Sequence, residues 1–331
     1  MKDLLIPTPA GLYCPQGDFY IDPRDRVQRA VITHAHSDHA RRGCRSYLAA
    51  LPSKELLRQR LGGRAHIEAL RYGESINIRG VRVSLHPAGH ILGSAQVRLE
   101  YRGEVWVVSG DYKLQRDPTC EPFEPVRCDV FLTESTFGLP KYNWPAPEQE
   151  IARLEAWWRA NQTRQVTSIV LAYSIGKAQR ILASVNPEIG PIVVHDAVAR
   201  HLEAYRATGV RLPKVKQCSD PMAILERGRC LLLAPPGARR SRWWQSFRPC
   251  AWAWASGWVL SRPQYRMNWG DSEDKSNPLV TGFIISDHAD WPGLQRAIEL
   301  TGAQTVWVTH GYTESLAAWL RHSGRTAVLL E

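Results

Sequence analysis

Thr33-His34-Ala35-His36-Ser37-Asp38-His39 follows the apolar run Ala30-Val31-Ile32 and packs four potential metal ligands into six residues. In an extended segment His34 and His36 project to the same side, because side chains two apart share a face. Asp38 and His39 fall where the chain turns, close enough to serve a second point. Neutral imidazoles with a carboxylate and no cysteine suit zinc or manganese. A folding core has no use for this density of ligands, and the spacing reads as a metal site.

A site needs elements to hold it, and several apolar runs end in ionisable residues. Val105–Val108 leads into Ser109-Gly110-Asp111, and Val130–Thr133 into Glu134. Phe283-Ile284-Ile285-Ser286 precedes Asp287-His288, and Val306–Thr309 precedes His310. Continuous apolar runs are the pattern of strands buried on both faces, and sites in layered α/β folds gather at strand ends. Together with His34 these endings predict one shared edge. Between them, strands at Val81–Leu85 and Gln96–Tyr101 flank His86 to Ser94, where Gly89 and Gly93 let the backbone around His90 come close to a ligand. His86 reads as structural. Asp22 closes the short strand Phe19-Tyr20-Ile21 and could orient a ligating imidazole, or could simply open a turn before Pro23. Ser53–Leu61 is an expected helix, with Ser53 as its cap.

From about Pro145 to Asn277 the texture changes. A helix is expected over Ile151–Ala160, a strand over Ile169–Tyr173 and a helix over Lys177–Ser184, followed by βα units at Ile192–His195 with Val198–Ala207 and a strand at Cys230–Leu233. This block reads as a second α/β domain inserted into the first, giving 1–145 and 278–331 as one body and 146–277 as the insert. Ser174, Gly176 and Lys177, at a strand-to-helix turn, could hold a phosphate through backbone N–H groups. Beyond them Arg239, Arg240, Arg242, Trp243, Trp244, Arg248, Trp252, Trp254, Trp258, Arg262, Arg266 and Trp269 interleave cations with indoles, which can pair with phosphates and stack on bases. The alternation of Trp252 and Trp254 also fits a half-buried strand.

The chain has 331 residues and a formal charge of +10, with a pI near 9.4, which favours a polyanionic partner. No stretch approaches the roughly 18 unbroken apolar residues of a membrane span. The first residues, broken by Pro7 and Pro9, do not read as a signal peptide. The seven cysteines are odd in number, scattered and without a Cys-x-x-Cys pair, as expected of reduced thiols in the cytoplasm.

Taken together, His34-x-His36-x-Asp38-His39, Gly89-His90, Gly110-Asp111 and Val308-Thr309-His310-Gly311 resemble the signature of the metallo-β-lactamase fold. Thr133-Glu134-Ser135-Thr136-Phe137-Gly138, Gly176-Lys177-Ala178-Gln179-Arg180 and Ile285-Ser286-Asp287-His288-Ala289-Asp290 resemble the β-CASP nucleases within it. Pro7 to Pro15 and Gly17 to Pro23 are similar to one bacterial branch, the ligase-associated DNA exonucleases, also labelled mRNA 3′-end processing factors. The resemblance spans nearly the whole chain.

It implies an α/β fold, the αββα sandwich with an inserted β-CASP cap domain. It implies a DNA exonuclease of DNA repair holding two divalent transition-metal ions, zinc or manganese. His34, His36, His90 and Asp111 would hold one ion, and Asp38, His39, His310 and Asp111 the other. Asp38 and Asp111 thereby count among the catalytic groups. His288 would be the general acid, with Glu134 fixing its tautomer and favouring its protonated form. Lys177, Arg180, Arg239, Arg240 and Arg242, with Ser174 and Gly176, would contact nucleic acid, DNA before RNA. An ATP-dependent DNA ligase and a helicase of the same repair cluster are implied partners. Eukaryotic DNA-processing relatives carry an apolar residue where RNA-processing ones carry the last histidine, here His310, so an RNA-processing nuclease is the alternative. A small-molecule hydrolase of this fold would need neither the insert nor Glu134 and His288.

Overall fold

The computed structural model describes residues 3–261 and 280–330. Arg262, Arg266 and Trp269 of the cation–indole segment lie outside the described residues. Two compact units divide the chain, one of residues 1–143 with 288–331 and one of residues 144–287.

The first unit begins with a six-stranded sheet in the order β1 to β6: Ile6–Thr8, Gly11–Cys14, Phe19–Ile21, Arg29–Val31, Ser46–Ala50 and Ile67–Leu70. Its first pairings are antiparallel and those of β3 to β6 parallel. Helix α1, Lys54–Leu61, buries Leu56, Leu57 and Leu61. Ser53 does not cap it: its hydroxyl donates to the Ala50 carbonyl at 2.7 Å. A 3-10 turn over Leu51–Ser53 already holds Ser53 in a helical conformation, so its side chain is turned away from the first N–H groups.

A second sheet is formed by β7 (Ser75–Ile78), β8 (Val81–Pro87), β9 (Ala95–Tyr101), β10 (Glu104–Val108) and β11 (Val130–Ser135). Strand β8 runs longer than the sequence suggests and includes His86, which bonds Ser84 and Glu124 and plays the structural part expected of it.

The second unit is a parallel sheet with helices. Helix α2, Pro147–Thr163, starts on a proline, which suits a first helical position because its missing N–H would have no partner there. Then come β12 (Thr167–Leu171), α3 (Lys177–Ser184), β13 (Ile192–Val194), α4 (Asp196–Ala207), β14 (Lys216–Gln217), β15 (Leu231–Ala234), β16 (Cys250–Ala255) and β17 (Val280–Phe283), in the sheet order β14-β13-β15-β12-β16-β17. β17 corrects the expectation for Phe283–Ser286. Its strand residues are 280–283, paired with β16, and Ile284–Ser286 leave the sheet. That pairing keeps the chain in the second unit until Asp287.

The chain returns to the first unit with α5 (Trp291–Thr301), β18 (Thr305–Gly311), α6 (Thr313–His322) and β19 (Thr326–Leu329). Strands β18 and β19 extend the second sheet to the order β19-β18-β11-β10-β9-β8-β7. Apolar residues of both sheets meet in one core, Phe19, Val31 and Leu48 from the first with Val83, Leu85, Val97, Trp106 and Trp307 from the second. The opposite face of the second sheet, through Val107, Phe131, Val306 and Val308, packs on Ile298 of α5 and Leu316 and Leu320 of α6. Successive residues of β10, β11 and β18 thus face two different cores, which is why these strands read as unbroken apolar runs. This is the αββα arrangement expected. No described helix is long and apolar enough to cross a membrane.

Candidate metal centre

Two sheet edges, not one, supply the site. Strand β4 of the first sheet runs out into the histidine loop, while β10, β11 and β18 are parallel neighbours of the second sheet and carry Asp111, Glu134 and His310 at matching ends. His34 and His90 are buried, and His36 is half-buried. The Nδ1 of His36 is 3.1 Å from Nε2 of His34 and 3.1 Å from Nε2 of His90. Oδ2 of Asp111 lies 3.5 Å from Nε2 of His34 and 3.7 Å from Nε2 of His90. Ligands about 2.0–2.1 Å from a tetrahedral ion sit about 3.3–3.4 Å from one another. The four donors have that spacing, so this set fits a transition-metal ion.

Asp38, His39 and His310 are arranged more loosely. Nε2 of His39 is 3.6 Å from Oδ2 of Asp111 and 3.8 Å from Oδ2 of Asp38. His310 is exposed, in the left-handed region at φ 53°, and its ring is 6.2 Å from that of His39. Asp38, His39, Asp111, Glu134 and His310 line one cavity of about 150 Å³ in the first unit. The donor types match a second ion, but these groups converge less closely than the first four.

The ring orientations are set from behind. Asp22 accepts hydrogen bonds from the Thr33 N–H at 2.8 Å and the Thr33 hydroxyl at 2.5 Å, and its Oδ2 is 2.7 Å from Nδ1 of His39. It therefore turns Nε2 of His39 toward Asp111, as an orienting carboxylate does. Sequence reasoning missed Thr33, whose hydroxyl also lies 3.1 Å from Nδ1 of His34. Its only signal was its position directly before the first histidine. Burial, and then the neighbouring histidines, push His34 well below its ordinary value, which keeps it neutral and fit to ligate. Burial also pulls His39 down, but the carboxylates of Asp111 and Asp22 outweigh it and hold the imidazole up at about 10. Asp111 is pushed up by burial and held down more strongly by His39, His288 and His90, with a net shift below the carboxylate range.

Beside this set, Glu134 is buried and half-buried His288 stands against it. Nδ1 of His288 is 2.8 and 2.9 Å from the two Glu134 oxygens, and its Nε2 is 3.9 Å from Oδ2 of Asp111. The Tyr112 N–H donates to Glu134 Oε1 at 2.9 Å, and the Tyr112 carbonyl accepts from the Ala289 N–H at 2.7 Å. The residue after Asp111 thus links the Glu134 and His288 segments. No sequence pattern marked Tyr112, because it acts through its backbone.

The expected phosphate contacts of the second unit fare differently. Lys177 and Arg180 are buried. Lys177 Nζ is 3.4 Å from Oδ2 of Asp287, and Arg180 donates to the Ser286 carbonyl at 2.6 Å. The Gly176 N–H donates to the Tyr205 hydroxyl at 3.1 Å, and the Ser174 carbonyl accepts from Gln179 at 2.9 Å. These bonds engage the Gly176 N–H and the Arg180 guanidinium within the second unit, so contact of Ser174, Gly176, Lys177 and Arg180 with a phosphate stays a proposal. Arg240 and Arg242 are exposed, and Arg239 lies 5.4 Å over the Trp252 ring. The indoles of Trp243, Trp244, Trp252 and Trp254 pack in one core cluster, as their alternation allowed.

No family model matches the chain. A probable DNA ligase from Opitutus terrae is 29% identical over 321 residues, covering 96% of this chain and 30% of that protein. Cleavage and polyadenylation specificity factor subunit 3 of Dictyostelium discoideum is 25% identical over 285 residues, covering 78% and 34%. Endoribonuclease YSH1 of Yarrowia lipolytica is 22% identical over 206 residues, covering 53% and 24%. The chain therefore spans about a third or less of the length of these curated relatives. A solved structure of a protein of unknown function from Enterococcus faecalis V583 shares the fold, with a TM-score of 0.64 over 92% of this chain and 79% of that one at 14% identity.

Proposed function

We infer, from the membership of this chain in the β-CASP group of metallo-β-lactamase-fold proteins, that it is a metal-dependent nuclease and specifically a DNA exonuclease of DNA repair. The observation that carries this reading is the Glu134–His288 pair beside the donors His34, His36, His90 and Asp111. A hydrolase acting on an activated small molecule has no need of a proton donor at that position. Bound divalent ions would supply a nucleophile at neutral pH and offset charge on the phosphate.

The protein's own groups do the rest. Asp22 holds His39, and Tyr112 holds Glu134. Glu134 takes the Nδ1 proton of His288 as a hydrogen bond, so Nε2 is the nitrogen left to donate to the departing ribose oxygen. Asp38, His39 and His310 with Asp111 are proposed as the second ligand set. Exposed Arg240 and Arg242 are proposed contacts to the strand. Similarity to a probable DNA ligase along nearly the whole chain supports DNA as substrate and a DNA ligase as partner, and we propose with them that the ligase is ATP-dependent and that a helicase takes part. No disulfide joins the seven cysteines, in keeping with a cytoplasmic site of action.

RNA processing is the second reading, favoured by His310 and by the similarity to endoribonucleases. The deciding experiment offers end-labelled DNA and RNA oligonucleotides to the purified protein with zinc or manganese. Stepwise shortening of DNA is expected. Preferential internal cutting of RNA would give the case to the alternative, and no cutting of either would sink both.

A further inference from the structure

Two arginines of the first unit, one before α1 and one on it, brace the histidine loop from its Ala35 side. Arg60 is half-buried, and its Nε donates at 3.3 Å to the carbonyl of Ala35, the residue between His34 and His36. Arg42, exposed, donates from its Nε to the carbonyl of Arg60. Each guanidinium is thus anchored through Nε, and its terminal nitrogens are left for another acceptor. Among the described residues neither side chain has an ion pair within bonding distance. Burial, and then the charge of Arg42, lower the Arg60 pKa, and the anion that opposes this is Asp38. Asp38 is an exposed carboxylate 3.8 Å from Nε2 of His39. Were Asp38 to share its charge with a metal ion, no carboxylate among the described residues would stand within ion-pair distance of the two guanidiniums.

We propose that Arg42 and Arg60 form a phosphate-binding lip of the metal centre, engaging a phosphodiester of the nucleic-acid strand adjacent to the one being cleaved. Guanidinium forks match phosphate oxygens in pairs, and anchoring them beforehand reduces the entropy lost on binding. A strand is favoured over a single small anion because Arg41, Arg45 and Arg64, in the same stretch of chain, are also exposed and unengaged by any carboxylate among the described residues. This proposal rests on the nuclease reading and names where its substrate is gripped.

The test is the salt dependence of binding of a phosphorothioate single strand, bound but resistant to cutting, to the metal-loaded protein. Arg42→Ala and Arg60→Ala should each make the log–log slope shallower by about 0.7, the value for one lost single-strand contact. Arg102→Ala, an exposed charge in the turn between β9 and β10, should leave it unchanged and controls for net charge. Metal content measured on each variant shows whether the histidine loop still stands. If Arg60→Ala loses metal, exposed Arg42 decides the matter. An unaltered slope in Arg42→Ala, with the wild type binding and cutting normally, overturns the lip alone. A wild-type protein that does not bind the strand overturns both the lip and the nuclease reading.

Discussion

The carboxylate of Glu134 and the imidazole of His288 meet at 2.8 Å although 154 residues separate them in the chain. The whole second unit lies between them in the sequence. Glu134 is delivered by β11, and the Tyr112 backbone bonds both Glu134 and Ala289, so the pair is registered against Asp111 from two sides. His288 has Nε2 turned to Asp111, yet the closely spaced four-donor set is complete without it.

His288→Ala should therefore keep metal content and strand binding while slowing cleavage by roughly 10²–10⁴. The loss should shrink for a diester with a p-nitrophenolate leaving group, which departs without a proton. Glu134→Gln should reproduce the pattern more mildly, since it alters only the orientation and charge around the ring. Metal analysis and single-turnover rates on both substrates make the check. An emptied metal site, or equal slowing of both substrates, would make His288 a ligand or a structural residue.

Much of this centre was legible because its ligands come from short, dense motifs at the ends of apolar strands. Spacing marked His34 and His36 and a strand end marked Asp111, while the grouping of these with His90 as one ligand set came from the family resemblance. What escaped acts through backbone or through packing. Tyr112 contributes its N–H and carbonyl, and any residue but proline could do so. Strand β17 was misplaced because Phe283 to Ile285 is apolar in either setting, and its true extent depends on pairing with β16. The partners of Lys177 and Arg180 were not legible for a related reason: the sequence shows a cation at a helix start but not the carboxylate and carbonyl beside it.

A second buried pair supports the Asp111 loop. Lys113 and Asp117 are 2.8 Å apart with side chains 0% and 4% exposed, and Asp117 also accepts from the Thr119 N–H and hydroxyl. The Lys113 N–H bonds the Ala88 carbonyl, and a Cβ on Gly89 would lie 2.3 Å from the Lys113 carbonyl oxygen, so the Asp111 and His90 loops are locked together. Removing one partner strands a buried charge. Asp117→Ala should cost about 3–5 kcal/mol of stability, and Lys113→Met with Asp117→Leu together should cost much less. Denaturant unfolding of the two variants beside the wild type measures this. Single and double losses of equal size would mean the loop does not depend on charge pairing.

His39 gives the protein a pH dependence that metal should abolish. In chelator-stripped protein its imidazole is held at about 10 by Asp111 and Asp22 against the pull of burial, compared with an ordinary 6.5. A raised histidine contributes its stability in full below about 6.5 and loses it as pH climbs through its folded value. Thermal stability of the stripped protein should accordingly decline between about pH 6.5 and 10, and Asp22→Asn should move that decline to lower pH. A metal ion at Nε2 must displace this proton, so uptake at the His39 position should release it and tighten as pH rises across the same window. Calorimetric titration with zinc in two buffers of different ionisation heat counts the proton, and His39→Gln should remove it. Metal uptake without proton release in the wild-type protein would show that His39 does not take part in binding the second ion.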